Sequence, residues 1–361
     1  MQHRDELYMQ RCFDLARLGA GSVSPNPMVG AVLVHEDRII GEGWHQHYGQ
    51  AHAEVNAVNS VSQEDRALIM QSTLYVSLEP CTIFGKTPPC TNLILQNKIP
   101  KVVVSCLDQT PQVAGKGVAL LRAKGVEVVT GILEAEGKAI SRYRNHFVTH
   151  QRPYVILKFA QTRNEKMGKA GEQVWISNAY SKRLVHRWRS EVDAILVGTN
   201  TARVDNPALT NRLYFGKSPL RMVIDRNLQL PTNLHLFDGE TNTLVIHDLP
   251  TQATSNEQQQ TTNNKQQNSQ IEYLSLDFST DFLFRLLSQL HERKITTLLV
   301  EGGATLLAHF IQNNLWDEAR VLIGNQILGE GIAAPLLSGE IIQQFSLEGD
   351  QIICYQNVHR R

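Results

Sequence analysis

The chain has 361 residues, of which 42% are hydrophobic, and its 35 basic residues balance its 35 acidic ones. At about 150 residues per domain, this length predicts two domains, each large enough to bury a core. The balanced charge excludes a field that would draw the whole chain to nucleic acid or acidic lipid. No apolar run approaches the ~20 residues of a membrane span. From the charge and the apolar runs together, we expect neither a nucleic-acid nor a membrane partner.

The N-terminus and the cysteine content indicate the compartment. The first six residues, MQHRDE, lack the apolar core of a secretory signal peptide. The chain has five cysteines, which suit a reducing environment better than a disulfide framework. We therefore expect a cytoplasmic protein.

Helical and strand patterns alternate through the first part of the chain. They predict a helix over 7–18, a hairpin from 28–34 and 38–41, strands over 73–78, 101–107 and 126–129, and a long helix over 134–148. This alternation predicts an α/β fold with a sheet between helical layers. Gln151-Arg152-Pro153 breaks the last helical pattern. We place the boundary there, with domains over 1–146 and 151–361.

Three residues with metal-binding side chains, His52, Cys81 and Cys90, stand where predicted elements begin or end. His52 lies near the start of a predicted helix over 51–58, and Cys81 lies just after the predicted strand 73–78. Cys90 lies in the first turn of a predicted helix that two prolines open. A single cysteine is usually a buried small hydrophobe, so each residue alone could be structural. Together they predict a catalytic zinc, which keeps three protein ligands and leaves its fourth position for water.

Glu54 lies two residues after His52 and is the candidate general acid and base. Residues two apart do not share a face of a regular helix, so both side chains reach one ion only where a helix begins. Two thiolates formally neutralise the divalent ion, and a nearby carboxylate is then needed more than at a three-histidine site. This combination predicts hydrolytic deamination.

The second part of the chain also alternates between strands and helices. Its patterns predict strands over 154–160, 194–198, 221–225, 243–247, 296–300 and 320–323, and helices over 179–190, 282–291 and 304–312. The segment 250–270 is rich in Gln, Asn and Thr, which cannot bury a core, and predicts a solvated loop.

Two glycine motifs in this part could hold a phosphate. Gly302-Gly303 follows a predicted strand and opens a helix, so its backbone amides are placed for an anion. A formal G-x-G-x-x-A dinucleotide fingerprint begins at Gly329, but Pro335 follows at once where that fingerprint needs a helix. A Rossmann domain is therefore not expected.

The order His-x-Glu and then Pro-Cys resembles the signature of the cytidine-deaminase-like superfamily, but eight residues separate Cys81 from Cys90 here. With the motifs Gly-Lys-Thr-Pro-Pro-Cys, Ser-Pro-Asn-Pro-Met-Val-Gly and Gly-Trp-His, the chain resembles the bifunctional riboflavin-biosynthesis deaminase/reductase family over essentially its whole length. The resemblance implies a cytidine-deaminase-like α/β/α domain followed by a dihydrofolate-reductase-like α/β domain. It also implies that Asn26, His45 and Lys86 bind the substrate.

Motifs in the second half resemble the reductase of the same family, among them Trp-Ile-Ser, Asp-Asn-Pro-Ala-Leu-Thr-Asn-Arg and Val-Glu-Gly-Gly. The resemblance implies NADPH as the cofactor. The substrate-binding residues that it implies are Gln173, Arg189, Leu209, Arg212 and Glu301. The cofactor-binding residues that it implies are Ala160, Trp175, Thr201, Asp205, Gly303, Ala304, Thr305, Leu306 and Leu307.

Two positions depart from the pattern of that family. After Lys158 the family usually has Ser or Thr, any residue, Asp and Gly, whereas the stretch from Thr162 reads Thr-Arg-Asn-Glu. The missing glycine removes easy access to positive φ, and the missing aspartate changes the charge near the expected nicotinamide end. Gln173 replaces a serine that often contacts the substrate.

The resemblance implies two steps of riboflavin synthesis. The first is zinc-dependent deamination of 2,5-diamino-6-(5-phosphoribosylamino)pyrimidin-4(3H)-one, and the second is NADPH-dependent reduction of its ribosyl side chain. We also expect a homo-oligomer.

Two alternatives stay open. One is a zinc deaminase with a degenerate, non-reducing C-terminal binding domain. The other is a nucleic-acid deaminase, which zero net charge and 7% aromatic residues disfavour.

Overall fold

Two large β-sheets, one of five strands and one of nine, organise the chain. The computed structural model describes residues 2–248 and 270–358. Contacts divide the chain into two units, Met1–Arg152 and Pro153–Arg361, and each large sheet lies within one of them. None of the helices in the described residues is long and apolar enough to cross a bilayer.

The elements of the first unit are, in chain order, α1 (Gln2–Arg17), β1 (Gly30–His35), β2 (Arg38–Trp44), α2 (Ala53–Asn59), a 3₁₀ helix (Arg66–Gln71), β3 (Thr73–Leu78), α3 (Cys90–Gln96), β4 (Lys101–Cys106), α4 (Lys116–Ala123), β5 (Glu127–Thr130), α5 (Glu134–Ile140) and α6 (Arg142–His150). The strand order is β2-β1-β3-β4-β5. Strand β1 is antiparallel to both neighbours, and β3, β4 and β5 are parallel.

Side chains of this sheet alternate between its two faces, as the period of a strand requires. Val32, Tyr75 and Val103 pack on one face with α1 and α5. Leu33 and Val104 pack on the other face with α2, α3 and α4. The sheet therefore lies between two helical layers, as the sequence predicts.

The elements of the second unit are β6 (Tyr154–Thr162), β7 (Lys166–Gly168), α7 (Ala179–Glu191), β8 (Ala194–Val197), α8 (Thr199–Asp205), β9 (Leu220–Ile224), a 3₁₀ helix (His235–Phe237), β10 (Thr243–His247), β11 (Ile271–Ser275), α9 (Phe282–Glu292), β12 (Thr297–Val300), α10 (Ala304–Gln312), β13 (Glu318–Gly324), β14 (Ile332–Ala333), β15 (Glu340–Leu347) and β16 (Asp350–Gln356). Its large sheet has the order β11-β10-β9-β8-β12-β6-β13-β16-β15, and β14 pairs with β7.

Strand β12 enters this sheet between β8 and β6, although it follows both in sequence. Neighbouring strands from β11 to β13 are parallel, so the carboxyl ends of β8, β12 and β6 lie side by side. Open α/β sheets bind ligands at such a point. One face of the sheet shares an apolar core with α9 and α10, and the other packs against α7.

The single helix predicted over 134–148 is wrong in its continuity. Buried Ser141 adopts φ −86° and ψ 6° and separates α5 from α6. In α5, Gly137 packs so closely on the neighbouring strand that a Cβ there would lie 2.3 Å from Ser105 Oγ. Helical periodicity carries no information about such tertiary packing.

Other expectations have mixed outcomes. The fingerprint at Gly329 contains the short strand β14, and the residues after it, from Pro335 to Gly339, form no helix, which confirms its rejection. The sequence patterns do not predict β7, β11, β14, β15 or β16. The loop predicted over 250–270 lies outside the described residues except for Gln270, which is in a turn.

Candidate active sites

The three predicted zinc ligands come from three element ends in the first unit. His52 is the N-cap residue of α2, and Cys90 is the first residue of α3. Cys81 stands in the loop that follows β3. The Thr91 backbone N–H donates to the Cys81 carbonyl at 3.2 Å, which ties that loop to the start of α3.

The spacing of the ligand atoms fits zinc. The ligand atoms of His52, Cys81 and Cys90 all lie within 4.8 Å of one another. His52 Nδ1 is 3.6 Å from Cys81 Sγ and 3.3 Å from Cys90 Sγ. A tetrahedral zinc, with Zn–S about 2.3 Å and Zn–N about 2.0 Å, holds nitrogen and sulfur ligands about 3.5 Å apart. Within residues 2–248 and 270–358, this is the one group of three such donors.

The two cysteines interact directly. The Cys90 backbone N–H donates to Cys81 Sγ at 3.4 Å. A hydrogen bond from the Cys90 thiol lowers the pKa of Cys81 to about 4, and the same bond raises the pKa of Cys90. Because the thiolate is the form that binds metal, this shift favours Cys81 as a ligand.

Glu79 fixes the chain just before Cys81. Its carboxylate accepts hydrogen bonds from the backbone N–H groups of Asp108, Gly115, Gly117 and Val118 at 2.9 to 3.2 Å. The side chain is 4% exposed, so these bonds replace lost solvation. Glu79 thereby holds the loop that carries the ligand against the loop that follows β4.

Glu54 lies in the first turn of α2 and is 3% exposed. Burial raises its pKa above the ordinary range of a carboxyl group, against the opposing effect of His52. A group that takes up a proton and then releases it near neutral pH works best with such a shift. The position and environment of Glu54 therefore suit a general acid and base.

Asn26 and His45 lie together beside this cluster. Asn26 Nδ2 is 3.1 Å from His45 Nε2, and His45 Nδ1 is 3.0 Å from the Ala51 carbonyl. Burial lowers the pKa of His45, and a neutral ring that donates from Nδ1 and accepts at Nε2 satisfies both contacts. The rings of His45 and His52 meet edge to face with centroids 5.3 Å apart. Lys86 instead places its ammonium group over the ring of Tyr48, in the loop before His52.

In the second unit, Glu301 connects two basic side chains at the carboxyl end of β12. Arg189 Nε and Nη2 donate to its two oxygens at 2.9 and 2.8 Å, and Lys158 Nζ donates at 3.4 Å. Burial would raise the pKa of Glu301, but the two cations outweigh it and lower it to about 2. Sequence reasoning did not single out Lys158, although it is the one charged side chain of β6.

Two further predicted substrate residues, Leu209 and Arg212, lie in the loop after α8. Leu209 is buried and has φ 53°, and Arg212 donates from Nη1 to Thr210 Oγ1 at 2.8 Å. The Arg212 backbone N–H donates to His186 Nδ1 at 2.9 Å, and Arg189 Nη1 donates to the Thr210 carbonyl at 3.2 Å. The structure thus joins Arg212 to Arg189 through Thr210. No sequence signal pointed to His186.

Several predicted cofactor residues meet where α8 and α10 begin. Gly303 is the N-cap residue of α10, and a Cβ there would lie 3.1 Å from Thr201 Oγ1. The first backbone amides of a helix have no acceptor within it, so this bare backbone can approach a phosphate. Leu306 and Leu307 are buried in the core of this unit. Ala304 and Thr305 complete that first turn.

Asp205 and Gln173 form a second part of this region. Gln173 Nε2 donates to the Asp205 carbonyl at 3.2 Å. Burial raises the pKa of Asp205, and the charge of Lys158 opposes this. Asp205 therefore stands near the Lys158, Arg189 and Glu301 network.

Trp175 and Ala160 are less clearly placed. The Trp175 ring is 62% exposed and lies 4.4 Å below the Lys182 ammonium. Ala160 packs against the apolar cluster between α7 and the sheet. The described contacts do not join either residue to Thr201 or Gly303.

The Thr-Arg-Asn-Glu departure is accommodated by a defined turn. Asn164 Oδ1 accepts from Thr162 Oγ1 at 2.8 Å and from Leu328 N–H at 3.2 Å, and Asn164 Nδ2 donates to the Leu328 carbonyl. Glu165 takes up the left-handed conformation at φ 58°, and its carbonyl accepts from Ala334 N–H at 2.9 Å. The turn forms without the expected glycine, at the cost of strain at Glu165.

Comparisons with known proteins match both units. The family model for the cytidine and deoxycytidylate deaminase zinc-binding region matches residues 2–106, and the model for the RibD C-terminal domain matches residues 153–357. The riboflavin biosynthesis protein RibD of Aquifex aeolicus is 37% identical over 332 residues, covering 91% of this chain and 89% of that protein. The chain belongs to the RibD family.

Solved RibD structures have the same fold along the whole chain. A deaminase/reductase from Thermotoga maritima is 32% identical, has a TM-score of 0.87, and is matched over 98% of this chain and 99% of its own. RibD from Acinetobacter baumannii is 29% identical with a TM-score of 0.86, over 99% of each chain. The expected pair of domains, deaminase-like and then reductase-like, is confirmed.

Membership of the RibD family supports the two-domain enzyme expected from the sequence. The chain is a bifunctional enzyme of riboflavin biosynthesis, with a zinc-dependent deaminase domain and an NADPH-dependent reductase domain. The cluster of His52, Cys81 and Cys90 fits the zinc that the first domain requires.

Proposed function

We propose that the chain deaminates 2,5-diamino-6-(5-phosphoribosylamino)pyrimidin-4(3H)-one and then reduces the ribosyl side chain of the product to a ribityl group. The observation that carries this proposal is the placement of Glu54 in the first turn of the helix that His52 caps, beside two cysteine ligands. We assign the deaminase to residues 1–146 and the reductase to residues 151–361. The division of contacts between Arg152 and Pro153 supports that assignment.

In the deaminase, His52, Cys81 and Cys90 would hold zinc, which when bound activates water for attack on the amine-bearing carbon. Glu54 takes a proton from the water and passes one to the departing amine, so that ammonia leaves and a ring carbonyl forms. Its burial keeps that proton away from bulk solvent. Asn26 offers one acceptor and two donors, which suits the amide-like edge of the pyrimidine.

In the reductase, NADPH when bound supplies hydride to the ribosyl C1′. The backbone at Gly303 and the side chains of Thr201 and Asp205 would hold the cofactor. The exposed Arg212 carries a planar guanidinium fork that suits a sugar phosphate. Arg189 is engaged by Glu301, so we assign it to orienting that carboxylate at the substrate rather than to a free phosphate clamp.

We further propose that the enzyme acts in the cytoplasm, as a homo-oligomer, on a small phosphorylated pyrimidine and not on nucleic acid. Zero formal net charge supports the last point, because proteins that bind a nucleic-acid backbone usually carry a basic surface. Ammonia released from transfer RNA but not from the free nucleotide would overturn it.

Glu54→Gln tests the assignment. The variant should retain zinc and lose deamination by at least about 10²-fold, the usual contribution of a general acid and base. NADPH oxidation with pre-deaminated substrate should be unchanged. Glu64→Gln, at an exposed position of the same unit, is the matched control and should keep both activities. If the wild-type enzyme cannot oxidise NADPH with that substrate, the C-terminal unit is a degenerate binding domain and the second half of the proposal fails.

A further inference from the structure

The loop between the two cysteine ligands returns to the loop that precedes His52. Its exposed Lys86 places Nζ 4.1 Å from the centroid of the Tyr48 ring. Cations are attracted to the face of an aromatic ring at this distance. The two loops that carry the zinc ligands are therefore connected through one lysine side chain.

Gly49, the residue after Tyr48, also lies against this lysine side chain. It has φ +82°, which favours glycine, and a Cβ there would lie 3.0 Å from Lys86 Cδ and 3.3 Å from Lys86 Nζ. Any side chain at this position would thus meet the lysine stem. The ring of Tyr48 and the bare backbone of Gly49 together define where the ammonium group lies.

The loop that carries Tyr48 and Gly49 is itself fixed to the deaminase site. The Tyr48 N–H donates to the Ser22 carbonyl at 3.1 Å, and the Gln50 N–H donates to the His47 carbonyl at 3.1 Å. The next residue, Ala51, offers its carbonyl to His45. A movement of this loop would therefore move His45 and the start of α2 as well.

We propose that Tyr48 is a positioning residue of the deaminase, which with Gly49 holds the Lys86 ammonium group toward an acceptor oxygen of the substrate. This inference rests on the proposed function, in which Lys86 binds that substrate. Lys86 is one of the eight residues that separate Cys81 from Cys90.

Steady-state deamination by the zinc-loaded full chain tests this role. Tyr48→Leu should raise KM for the diaminopyrimidine nucleotide about two- to five-fold, the size expected of an exposed cation–π contact. The turnover number kcat and the zinc content should not change, because neither Glu54 nor a ligand is altered. Tyr48→Phe keeps the ring and should restore the wild-type KM. Tyr143→Leu removes a ring that lies under Arg142 in α6, and as the matched control it should leave KM unchanged.

The double variant separates this inference from the proposed function. Lys86→Met should raise KM, and adding Tyr48→Leu to it should change nothing further. If Lys86→Met leaves KM unchanged, Lys86 does not bind the substrate and both proposals for this loop fail. If Lys86→Met raises KM but Tyr48→Leu alone does not, or the two effects simply add, only the role of Tyr48 is overturned. Loss of zinc or of kcat in Tyr48→Leu would show a structural role and would also overturn it.

Discussion

Arg189 donates from Nε and Nη2 to the two carboxylate oxygens of Glu301, at 2.9 and 2.8 Å. The side chains are 12% and 7% exposed, so this is an interior ion pair. Lys158 adds a second cation at 3.4 Å from the same carboxylate. One acidic group therefore compensates two partly buried positive charges at the carboxyl ends of the central strands.

Glu301→Gln should lower the free energy of unfolding by about 1.5–3 kcal/mol, because it removes the charged partner of two partly buried cations. Urea unfolding followed by tryptophan fluorescence measures this, since Trp175, Trp188 and Trp316 all lie in the second unit. NADPH-dependent reduction should also be lost.

The control for that variant disrupts a more exposed ion pair on α7, the helix that carries Arg189. Glu191 accepts from Arg187 Nε at 2.9 Å, four residues away. Glu191→Gln should cost no more than about 0.5 kcal/mol, the usual range for such a pair. Equal losses in the two variants would show that the Glu301 network is no more stabilising than a surface contact.

The sequence predicts the three donors that the structure brings together, because the chemistry restricts the residue types and the elements that carry them are local. His52, Cys81 and Cys90 stand at element ends that periodicity and prolines reveal. The reductase site is different. Lys158 and His186 enter it only through packing between elements far apart in the chain, which no local pattern encodes.

The turn from Thr162 shows the limit of family patterns. The missing glycine suggested a loss of positive φ, yet Glu165 adopts φ 58°. The reason is tertiary: the Asn164 amide bridges to the Leu328 backbone on both sides, and Ala334 binds the Glu165 carbonyl. Contacts from the loop after β13 impose a conformation that the local sequence disfavours.

Restoring the usual aspartate at this turn should therefore harm the protein. Asn164 donates from Nδ2 to the Leu328 carbonyl, and a carboxylate in its place would face that oxygen. We expect Asn164→Asp to lower the free energy of unfolding by about 1–3 kcal/mol, the cost of an unpaired polar contact. Asn164→Asp combined with Glu165→Gly should recover part of this loss, since glycine relieves the left-handed strain. A single variant more stable than the wild type in urea would contradict this account of the turn.

The cysteines allow a matched test of the zinc site. Cys81→Ser should lower zinc affinity by at least about tenfold, since even residues that only support a ligand have effects of that size. Cys106→Ser is the control. Burial raises the pKa of the Cys106 thiol to about 12, so Cys106 does not supply a thiolate ligand, and this variant should keep its zinc. Competition with a chromophoric chelator measures both affinities. Equal zinc loss in the two variants would point to unfolding rather than to a lost ligand.

The backbone at the start of α10 provides a test of cofactor binding. Gly303→Ala would place a Cβ 3.1 Å from Thr201 Oγ1 and fill the space before the helix amides. We expect its Kd for NADPH to rise at least about tenfold, or about 1.4 kcal/mol, in a fluorescence titration. Gly329→Ala is the control, because a Cβ there meets nothing within 4 Å. Unchanged affinity in Gly303→Ala would place the cofactor elsewhere.

His186 should make the stability of the reductase unit depend on pH. Its Nδ1 accepts from the Arg212 N–H at 2.9 Å, which requires a neutral ring. Burial, followed by the charges of Arg189 and Arg212, lowers its pKa to about 4, compared with about 6.5 in an unfolded chain. Between these values the unfolded chain binds the extra proton. The free energy of unfolding should therefore fall as the pH drops from about 6.5 to about 4, by at most ~1.4 kcal/mol per pH unit.

His186→Gln should remove most of that slope, because a glutamine oxygen can accept the same Arg212 hydrogen bond but does not titrate. Urea unfolding at several pH values across this window, followed by tryptophan fluorescence, compares the variant with the wild type. Glu301 does not obscure the result at the upper end. Its pKa is lowered to about 2, so its contribution is lost only as the pH falls below about 4.5. A wild-type slope that persists in His186→Gln would assign the acid sensitivity to another group.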